Sequence, residues 1–319
     1  MLTTILVNAI RMGTIFLFGC IGEILTEKAG NLNLGIPGIM CIGATGGGFA
    51  VSLYAGSVEN PNAVLLVLLS IIFTMVFAGL AGLLYSFLTV SLNANQNVTG
   101  LTMTTFGVGF MKFFSKRIYD QKLFVDVSHC FKNLFGMEGK KDAFSQIFLS
   151  HGILVYLAIV LAVLAALFLN KTKNGLYLRA VGESPATADA DGINVKKYKY
   201  VFITLGSAIA GLGGLYYIMD RSSGTQFAEA AIDSFGWLSV ALVIASVWKP
   251  LFAIVGSCIF GGLSIMDAQL TTLSLAQQKL FALVPFLITV IVLIVVSLLK
   301  LKDNQPPASL GLPYFREDR

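Results

Sequence analysis

The sequence predicts an all-α, polytopic integral membrane protein built as a helical bundle. Of its 319 residues, 56% are hydrophobic and 12% are charged, and the mean hydropathy is +0.80. A soluble domain carries roughly 25% charged residues, because it needs a charged surface to face water. The charge content therefore excludes an ordinary soluble globular protein, and we expect the apolar surface to face lipid.

Uncharged segments long enough to cross a bilayer recur along the chain. A spanning helix needs about 20 residues, and the segments 29–58 and 60–111 contain no charged residue. On this basis we predict about nine spans, in a range of roughly eight to ten. They lie near residues 4–22, 36–56, 63–92, 98–115, 147–169, 199–218, 235–248, 251–267 and 279–300. The two spans that meet at Lys249 and Pro250 are predicted to form a tight helical hairpin, since proline cannot continue a helix.

The basic residues predict the orientation of the chain in the membrane. Lysine and arginine concentrate in the connection 170–199 and after residue 299, so we expect both regions to lie in the cytoplasm. Residues 1–302 are then one transmembrane domain and residues 303–319 a cytoplasmic tail. Counting the predicted spans back from the cytoplasmic connection 170–199 places the segment 116–146 outside as an outer loop, together with the N-terminus. The lysines of that loop conflict with this assignment.

The sequence lacks the motifs that enzymes and nucleic-acid-binding proteins use. It has no P-loop and no basic stripe interleaved with aromatic residues. His129 and His151 lie near the predicted outer loop without a metalloprotease or Ser/His/Asp arrangement, so we interpret them as solvated loop residues. The four cysteines are scattered and predict neither a disulfide framework nor a zinc site. We therefore expect no enzymatic activity, no cofactor or metal bound by this chain, and no nucleic-acid partner.

Four acidic residues fall at the ends of predicted spans: Glu23, Asp220, Asp233 and Asp267. We interpret them as interfacial charges in contact with water, with a role in a proton or substrate path as the alternative. An ion-coupled secondary carrier would need an acid in the middle of the membrane with a binding partner. The predicted spans contain none, but this class of transporter is kept as an alternative.

Small residues four positions apart predict close contacts between helices. The pairs are Gly43 and Gly47, Ser207 and Gly211, Ala210 and Gly214, and Ser257 and Gly261. Each pair lies on one helix face, where two backbones can approach closely. We expect these faces to pack within one bundle, and a dimerisation face is the alternative.

The connection 170–199 contains a short helix with capping signals at both ends. Ser184 is a favourable N-cap, Pro185 suits the first helical position, and Gly192 suits a left-handed residue after the last turn. A helix of about two turns is unstable alone in water, so we expect a partner protein to hold it; a plain connector is the alternative. The residues assigned to the partner contact are Glu183, Ser184, Pro185, Ala186, Ala188, Asp189, Asp191 and Gly192, with Ala188 on the contacting face.

Two polar clusters are candidates for a solute path. Asn31 and Asn33 lie among glycine and proline residues that would interrupt a helix near the membrane and offer backbone polar groups to a substrate. The second cluster runs from Asn93 to Thr105, where amides and hydroxyls can line an aqueous path for a hydroxyl-rich solute. Ordinary polar loops are the alternative for both clusters. The candidate path residues are Asn31, Asn33, Asn97, Thr99 and Thr102.

Several runs of sequence, taken together, resemble the permease subunits of bacterial ATP-binding cassette (ABC) importers. They are residues 22–38, 95–101, 175–185 with 192–195, and 235–237, and the similarity extends from Gly13 to Leu301. The branch is that of ribose and branched-chain amino acid permeases, and the nucleoside and simple-sugar permeases are the most similar. Relative to ribose permeases, we expect a first N-terminal span to be missing. The lysine-rich segment 117–142 departs from the family pattern where a binding protein would dock.

The resemblance implies a type II importer-like permease in the bacterial plasma membrane that supplies half of a solute pathway. It implies a cytoplasmic ABC ATPase pair that hydrolyses ATP and holds the helix of the 170–199 loop. It also implies an extracytoplasmic substrate-binding lipoprotein and a second permease subunit, often a different chain. The implied solute is a nucleoside or a simple sugar, with a branched-chain amino acid as the nearest alternative.

Overall fold

The computed structural model describes residues 2–132, 143–269, 277, 280, 283–299 and 305–315. Within these residues all regular structure is helical. The α-helices are α1 (Leu2–Lys28), α2 (Ile36–Ala55), α3 (Ala63–Ser86), α4 (Gln96–Ile118), α5 (Gln121–Ser128), α6 (Ala143–Phe148), α7 (Ile153–Lys171), α8 (Lys173–Glu183), α9 (Pro185–Ala190), α10 (Val195–Tyr216), α11 (Glu229–Ala245), α12 (Pro250–Gln269) and α13 (Val284–Leu299). One π-helical turn extends α3 over Phe87–Ser91 and another extends α10 over Tyr217–Arg221.

Five helical stretches in the described part of the chain are long and apolar enough to cross a membrane. They are Thr3–Lys28, Ile36–Ala55, Ala63–Ser91, Ile153–Lys171 and Val195–Arg221. These stretches confirm an all-helical, polytopic architecture. The remaining predicted spans coincide with α4, α11, α12 and α13, which are shorter or less apolar. The count of about nine spans therefore stays a prediction.

Helix α10 lies at the centre of the bundle and packs against α1, α2 and α3. Small residues allow these helices to approach closely: a Cβ atom added to Gly43 of α2 would lie 2.5 Å from the Cα of Gly211 in α10. A Cβ on Gly261 of α12 would lie equally close, at 2.5 Å, to the backbone nitrogen of Gly13 in α1. The predicted small-residue pairs therefore pack helices within one bundle, as expected.

The outer face of α3 is apolar, as expected for a surface in contact with lipid. Leu68, Ile72 and Leu80 are exposed on it, whereas the hydroxyl-bearing Ser70 and Thr74 are fully buried. Apolar side chains thus face outward and polar side chains face the bundle, which is the arrangement expected in a hydrocarbon solvent.

The predicted helical hairpin is present, with α11 ending at Ala245 and α12 beginning at Pro250. Its turn holds Val247 and Trp248 at φ values of 56° and 53°. Positive φ is uncommon for such bulky side chains, and the sequence pattern did not indicate it. The buried Trp248 indole Nε1 donates to the carboxylate of Glu27 in α1. This bond fixes the turn against the central helix.

The 170–199 connection and the described part of the tail lie at the same end of the bundle. The backbone nitrogen of Ser309 donates to the Gly182 carbonyl at 3.0 Å, and the Ser309 hydroxyl donates to the same oxygen at 2.6 Å. We call this the loop end, defined by α8, α9 and residues 305–315. Their proximity is what the prediction of a shared cytoplasmic side requires.

Part of the predicted outer loop, 116–146, is helical. Helix α4 continues to Ile118, and α5 is followed by a 3-10 turn over His129–Phe131. Residues 133–142, which hold most of the rest of this loop, lie outside the described residues.

Two expectations about solvent contact are wrong. Glu23 and Asp220 are buried instead of facing water, because the carboxyl groups lie between packed helices. His151 is also buried, with its Nε2 2.9 Å from the Ile147 carbonyl, whereas His129 is exposed as predicted. Asp233 is partly exposed, and the side chain of Asp267 lies outside the described residues.

Candidate functional site

Residues 29–35 interrupt the helical path between α1 and α2, and we call them the re-entrant segment. The chain turns at Gly30, whose φ is 81°, and then runs back beside the last turns of α1. The backbone nitrogen of Asn33 donates to Glu23 Oε1 at 2.8 Å, five positions before the end of α1. The segment thus joins two separate helical stretches, Thr3–Lys28 and Ile36–Ala55, and folds inward against α1; an interrupted helix that serves a substrate stays a prediction.

Side chains of α1, α3 and α4 satisfy the backbone of the re-entrant segment. Unpaired backbone groups are costly at membrane depth, so irregular chain is tolerated there only when the protein supplies partners. The bonds are Leu32 N to Gln96 Oε1 at 2.7 Å, Tyr85 OH to Leu32 O at 2.6 Å, Asn33 N to Glu23 Oε1 at 2.8 Å and Thr104 Oγ1 to Leu34 O at 2.8 Å. We expected these backbone groups to be available to a substrate. They are instead hydrogen-bonded to side chains of the same chain.

Polar side-chain atoms remain without partners beside this segment. Asn31 and Asn33 are 1% and 0% exposed. Both amide atoms of Asn31, the Nδ2 of Asn33 and the Oε2 of Glu23 are buried without a hydrogen-bond partner among the described residues. Buried polar atoms are nearly always paired in proteins, so this group of atoms can bind water or a polar ligand.

Helix α4 carries an exposed face unlike those of its neighbours. Thr102, Thr105, Phe106 and Phe113 are exposed, and a Cβ on Gly109 would have nothing within 4 Å. Their spacing of three, four, seven or eight residues places most of them on one side of the helix. This side of α4 thus exposes two hydroxyls, those of Thr102 and Thr105, among apolar side chains, whereas Ser70 and Thr74 of α3 are buried.

The structure divides the five predicted path residues into two groups. Asn31, Asn33 and Thr99 are buried at or near the re-entrant segment, whereas Asn97 and Thr102 are exposed on α4. The sequence analysis did not single out Tyr85, which bonds the segment from α3, because one tyrosine in an apolar span carries no distinguishing pattern. The exposed phenylalanines of α4 were also missed, although their spacing from Thr102 and Thr105 could have indicated them.

The predicted capped helix of the 170–199 connection is present as α9. Ser184 is its N-cap, with its side chain accepting from Thr187 N at 3.4 Å. Pro185 occupies the first position, and Gly192 has a φ of 83°. The capping signals are confirmed.

The expectation that Ala188 lies on the partner-contacting face is wrong. Its side chain is 2% exposed and packs in a small apolar cluster with Val181 of α8 and Val195 of α10. The short helix therefore docks on its own chain through this one face. Among the residues assigned to the partner contact, those with exposed side chains or backbone are Glu183, Ala186, Asp191 and Gly192, while Ser184, Pro185 and Asp189 are partly buried.

The tail contacts both α9 and the entrance to α4. Tyr314 OH donates to Asp189 Oδ2 at 2.9 Å, and Ala308 N donates to Glu183 Oε2 at 3.3 Å. At the other end, the Leu312 carbonyl lies 3.5 Å from Gln96 Nε2, and Gln96 also bonds the re-entrant segment. A continuous set of contacts thus connects α9 with α4.

Comparison with known proteins gives related transporters over nearly the whole chain. The nucleoside ABC transporter permease protein NupC of Lactococcus lactis subsp. cremoris is 29% identical over 92% of both chains. The guanosine ABC transporter permease protein NupQ of Bacillus subtilis is 28% identical over 94% of this chain and 92% of its own. The putative glucose ABC transporter permease protein TsgC13 of Haloferax volcanii is 30% identical over 85% of this chain and 79% of its own.

No solved structure matches the chain. The family model described as branched-chain amino acid transport system / permease component matches residues 5–293. This is a family of transporter permeases and not of catalytic enzymes, and its members work with the other components of an ABC transporter. Together with the apolar helices, the match identifies a multi-pass plasma-membrane protein. The chain belongs to the family of permease components represented by the branched-chain amino acid transport system.

Proposed function

We propose that this chain is one of two permease subunits of an ABC importer that carries a nucleoside, or a simple sugar, into the cell. The exposed, hydroxyl-bearing face of α4 is the observation that carries this proposal. It would form half of the pathway, with the other half supplied by the second permease subunit, a different chain. The names of the nucleoside and guanosine permeases, which match over more than nine-tenths of this chain, support the same solute class.

The chemistry of the α4 face suits a neutral solute. Thr102 and Thr105 offer hydroxyl oxygens, although each hydroxyl hydrogen is donated to its own helix, to Val98 O at 2.8 Å and Leu101 O at 3.1 Å. Phe106 and Phe113 offer apolar rings on which a base or a sugar face can pack. Between residues 97 and 111 the helix has no charged residue. A free amino acid would need a partner for its carboxylate, so the branched-chain amino acid alternative is less well supported.

Transport would use alternating access driven by partner ATPases in the cytoplasm. These subunits would bind and hydrolyse ATP and contact the exposed side of α9. Movement of α9 would pass through the tail to Gln96, and from Gln96 to the re-entrant segment and the start of α4. In this proposal the loop end faces the cytoplasm, and an extracytoplasmic substrate-binding lipoprotein delivers the solute at the opposite end.

The test is uptake of radiolabelled nucleoside by the complete transporter carrying Thr102→Val and Thr105→Val together. Loss of two hydrogen-bond acceptors should reduce uptake at low substrate concentration on the order of tenfold. Val76→Thr, which adds a hydroxyl to the exposed apolar face of α3, serves as the control and should leave uptake unchanged.

Competition between unlabelled solutes tests the solute class separately. Nucleosides should block uptake of the labelled nucleoside, whereas leucine and isoleucine should not. Uptake that responds to leucine and isoleucine and is indifferent to nucleosides would contradict the proposal and support a branched-chain amino acid permease.

A further inference from the structure

A separate cavity lies at the loop end, where α1, α7 and α8 meet the turn between α11 and α12. Its volume is about 370 Å³, and three basic residues from three different elements line it: Lys28, Arg179 and Lys249. The proposed solute path does not use this cavity. Its charge and its position at the end of the apolar helices indicate a binding site of its own.

The charges around the cavity favour an anion. Lys28 lies within electrostatic range of Arg179 and Lys249, and also of the carboxylates of Glu27 and Glu183. Both acids accept hydrogen bonds from neutral donors, Glu27 from the Trp248 indole and Glu183 from the backbone of Ala308. The Nε of Arg179 is buried without a hydrogen-bond acceptor among the described residues. Three basic side chains thus line a cavity that has two acidic side chains beside it.

The backbone adds to this positive potential. Helix α12 begins at Pro250, on the wall of the cavity. The first turn of a helix has backbone N–H groups without intrahelical acceptors, and the helix dipole makes that end partly positive. Trp248, which has a positive φ, Lys249 and Pro250 are consecutive residues that all line the cavity.

The rim of the cavity is apolar and open to the outside of the bundle. Leu251 and Phe252 line it and are 52% and 55% exposed. On α7, which also lines the cavity, Leu164 and Leu167 are exposed on the apolar outer face. A basic interior with an apolar rim matches a molecule that has an anionic head and hydrocarbon chains.

We propose that this cavity binds the phosphate headgroup of an anionic phospholipid from the leaflet at the loop end. Basic pockets between transmembrane helices bind such headgroups, and Leu251 and Phe252 would contact the acyl chains. A soluble phosphate would use the cations and leave the apolar rim exposed. An acidic segment of a partner protein would likewise gain little from a rim that faces the membrane.

Binding of lipid to the full chain, purified in detergent and observed by native mass spectrometry, tests the proposal. Phosphatidylglycerol should be retained in preference to phosphatidylcholine. Because each basic residue near a membrane surface contributes several-fold to the attraction of an anionic lipid, Arg179→Gln with Lys249→Gln should weaken phosphatidylglycerol binding on the order of 30-fold. Lys196→Gln with Lys197→Gln is the matched control, since it removes the same charge from exposed positions at the same end, and it should leave binding unchanged.

A charge-conserving variant, Arg179→Lys with Lys249→Arg, should retain phosphatidylglycerol. This retention would show that the site still folds when both residues are replaced. The proposal would be overturned if the cavity variant and the surface control lost phosphatidylglycerol binding equally. Unchanged phosphatidylglycerol binding in the cavity variant would also overturn it. Inorganic phosphate should not displace the lipid at equal concentration; if it does, the site is one for a soluble anion. If the cavity variant loses its ATPase while keeping its lipid, the cations contact a protein and the proposal is wrong. None of these measurements depends on the transported solute.

Discussion

The hydroxyl of Tyr314 donates a hydrogen bond to Asp189 Oδ2 at 2.9 Å, which joins the tail to α9. The two residues are 125 positions apart in the chain. A helix of six residues is too short to be stable alone, so its position depends on such contacts. In this chain α9 is held from one side by the apolar cluster around Ala188 and from another by the tail.

Removing the Tyr314 hydroxyl should loosen α9. A hydrogen bond to a carboxylate contributes about 1.5 kcal/mol, so Tyr314→Phe should raise amide hydrogen exchange in residues 185–192 on the order of tenfold. The control is Tyr177→Phe, which removes a hydroxyl from the neighbouring α8 and should leave exchange in this segment unchanged. Equal exchange in Tyr314→Phe and the parent would show that the tail does not hold the helix.

Substitution by glutamate should have different effects at two alanines of α9, Ala186 and Ala188. Ala186 is exposed in the first turn, where an acidic residue suits the helix dipole, so Ala186→Glu should fold normally and reduce ATPase association and transport. Ala188→Glu would place a charge among Val181 and Val195 and should displace α9 itself. Copurification with the ATPase and hydrogen exchange separate the two effects. Normal association and transport in Ala186→Glu would mean that α9 is only a connector.

The bond between Trp248 and Glu27 should stabilise the attachment of the α11–α12 turn to α1. Glu27→Ala leaves the indole N–H buried without an acceptor and should lower the free energy of unfolding by about 2 kcal/mol. Trp248→Phe should lower it as well, and the double variant should lose less than the sum. Unfolding in mixed micelles measures these values, with the exposed Glu59→Ala as a control. Additive losses would show that the two side chains do not interact.

Acid should destabilise the fold around His151. Burial lowers the pKa of this side chain, so below the ordinary histidine value of about 6.5 the unfolded chain binds a proton that the folded chain does not. The stability linked to His151 is therefore fully present above that pH and is lost as the pH falls toward the lowered folded pKa. His151→Gln should reduce this acid-side loss in thermal unfolding measured at pH 7.5 and pH 5.5, whereas His129→Gln should preserve it.

Much of the architecture could be predicted from local sequence. The apolar runs predicted α1, α2, α3, α7 and α10, because length and hydropathy alone decide whether a helix can cross a bilayer. Ser184, Pro185 and Gly192 predicted α9 with its correct ends, since capping depends on neighbouring residues. Lys249 and Pro250 predicted the hairpin for the same reason.

The candidate site could be predicted only in part. Asn31 and Asn33 indicated an interrupted helix, but their burial depends on residues of α3 and α4 that are distant in sequence. The span-end position of Glu23 suggested water, and only the fold shows that it turns inward to bond the re-entrant segment. The face predicted for Ala188 is wrong, because a helix of six residues has no periodic pattern to show which side is buried.

The sequence by itself determined that this chain is a helical membrane protein, where most of its helices lie, and which family it resembles. These properties follow from composition, from hydropathy over about 20 residues and from local capping. Only the tertiary structure decided which polar groups face inward, how the tail joins α9 to α4, and that Lys28, Arg179 and Lys249 line one cavity. Those relationships join residues far apart in the chain, and packing between helices, which no local pattern encodes, brings them together.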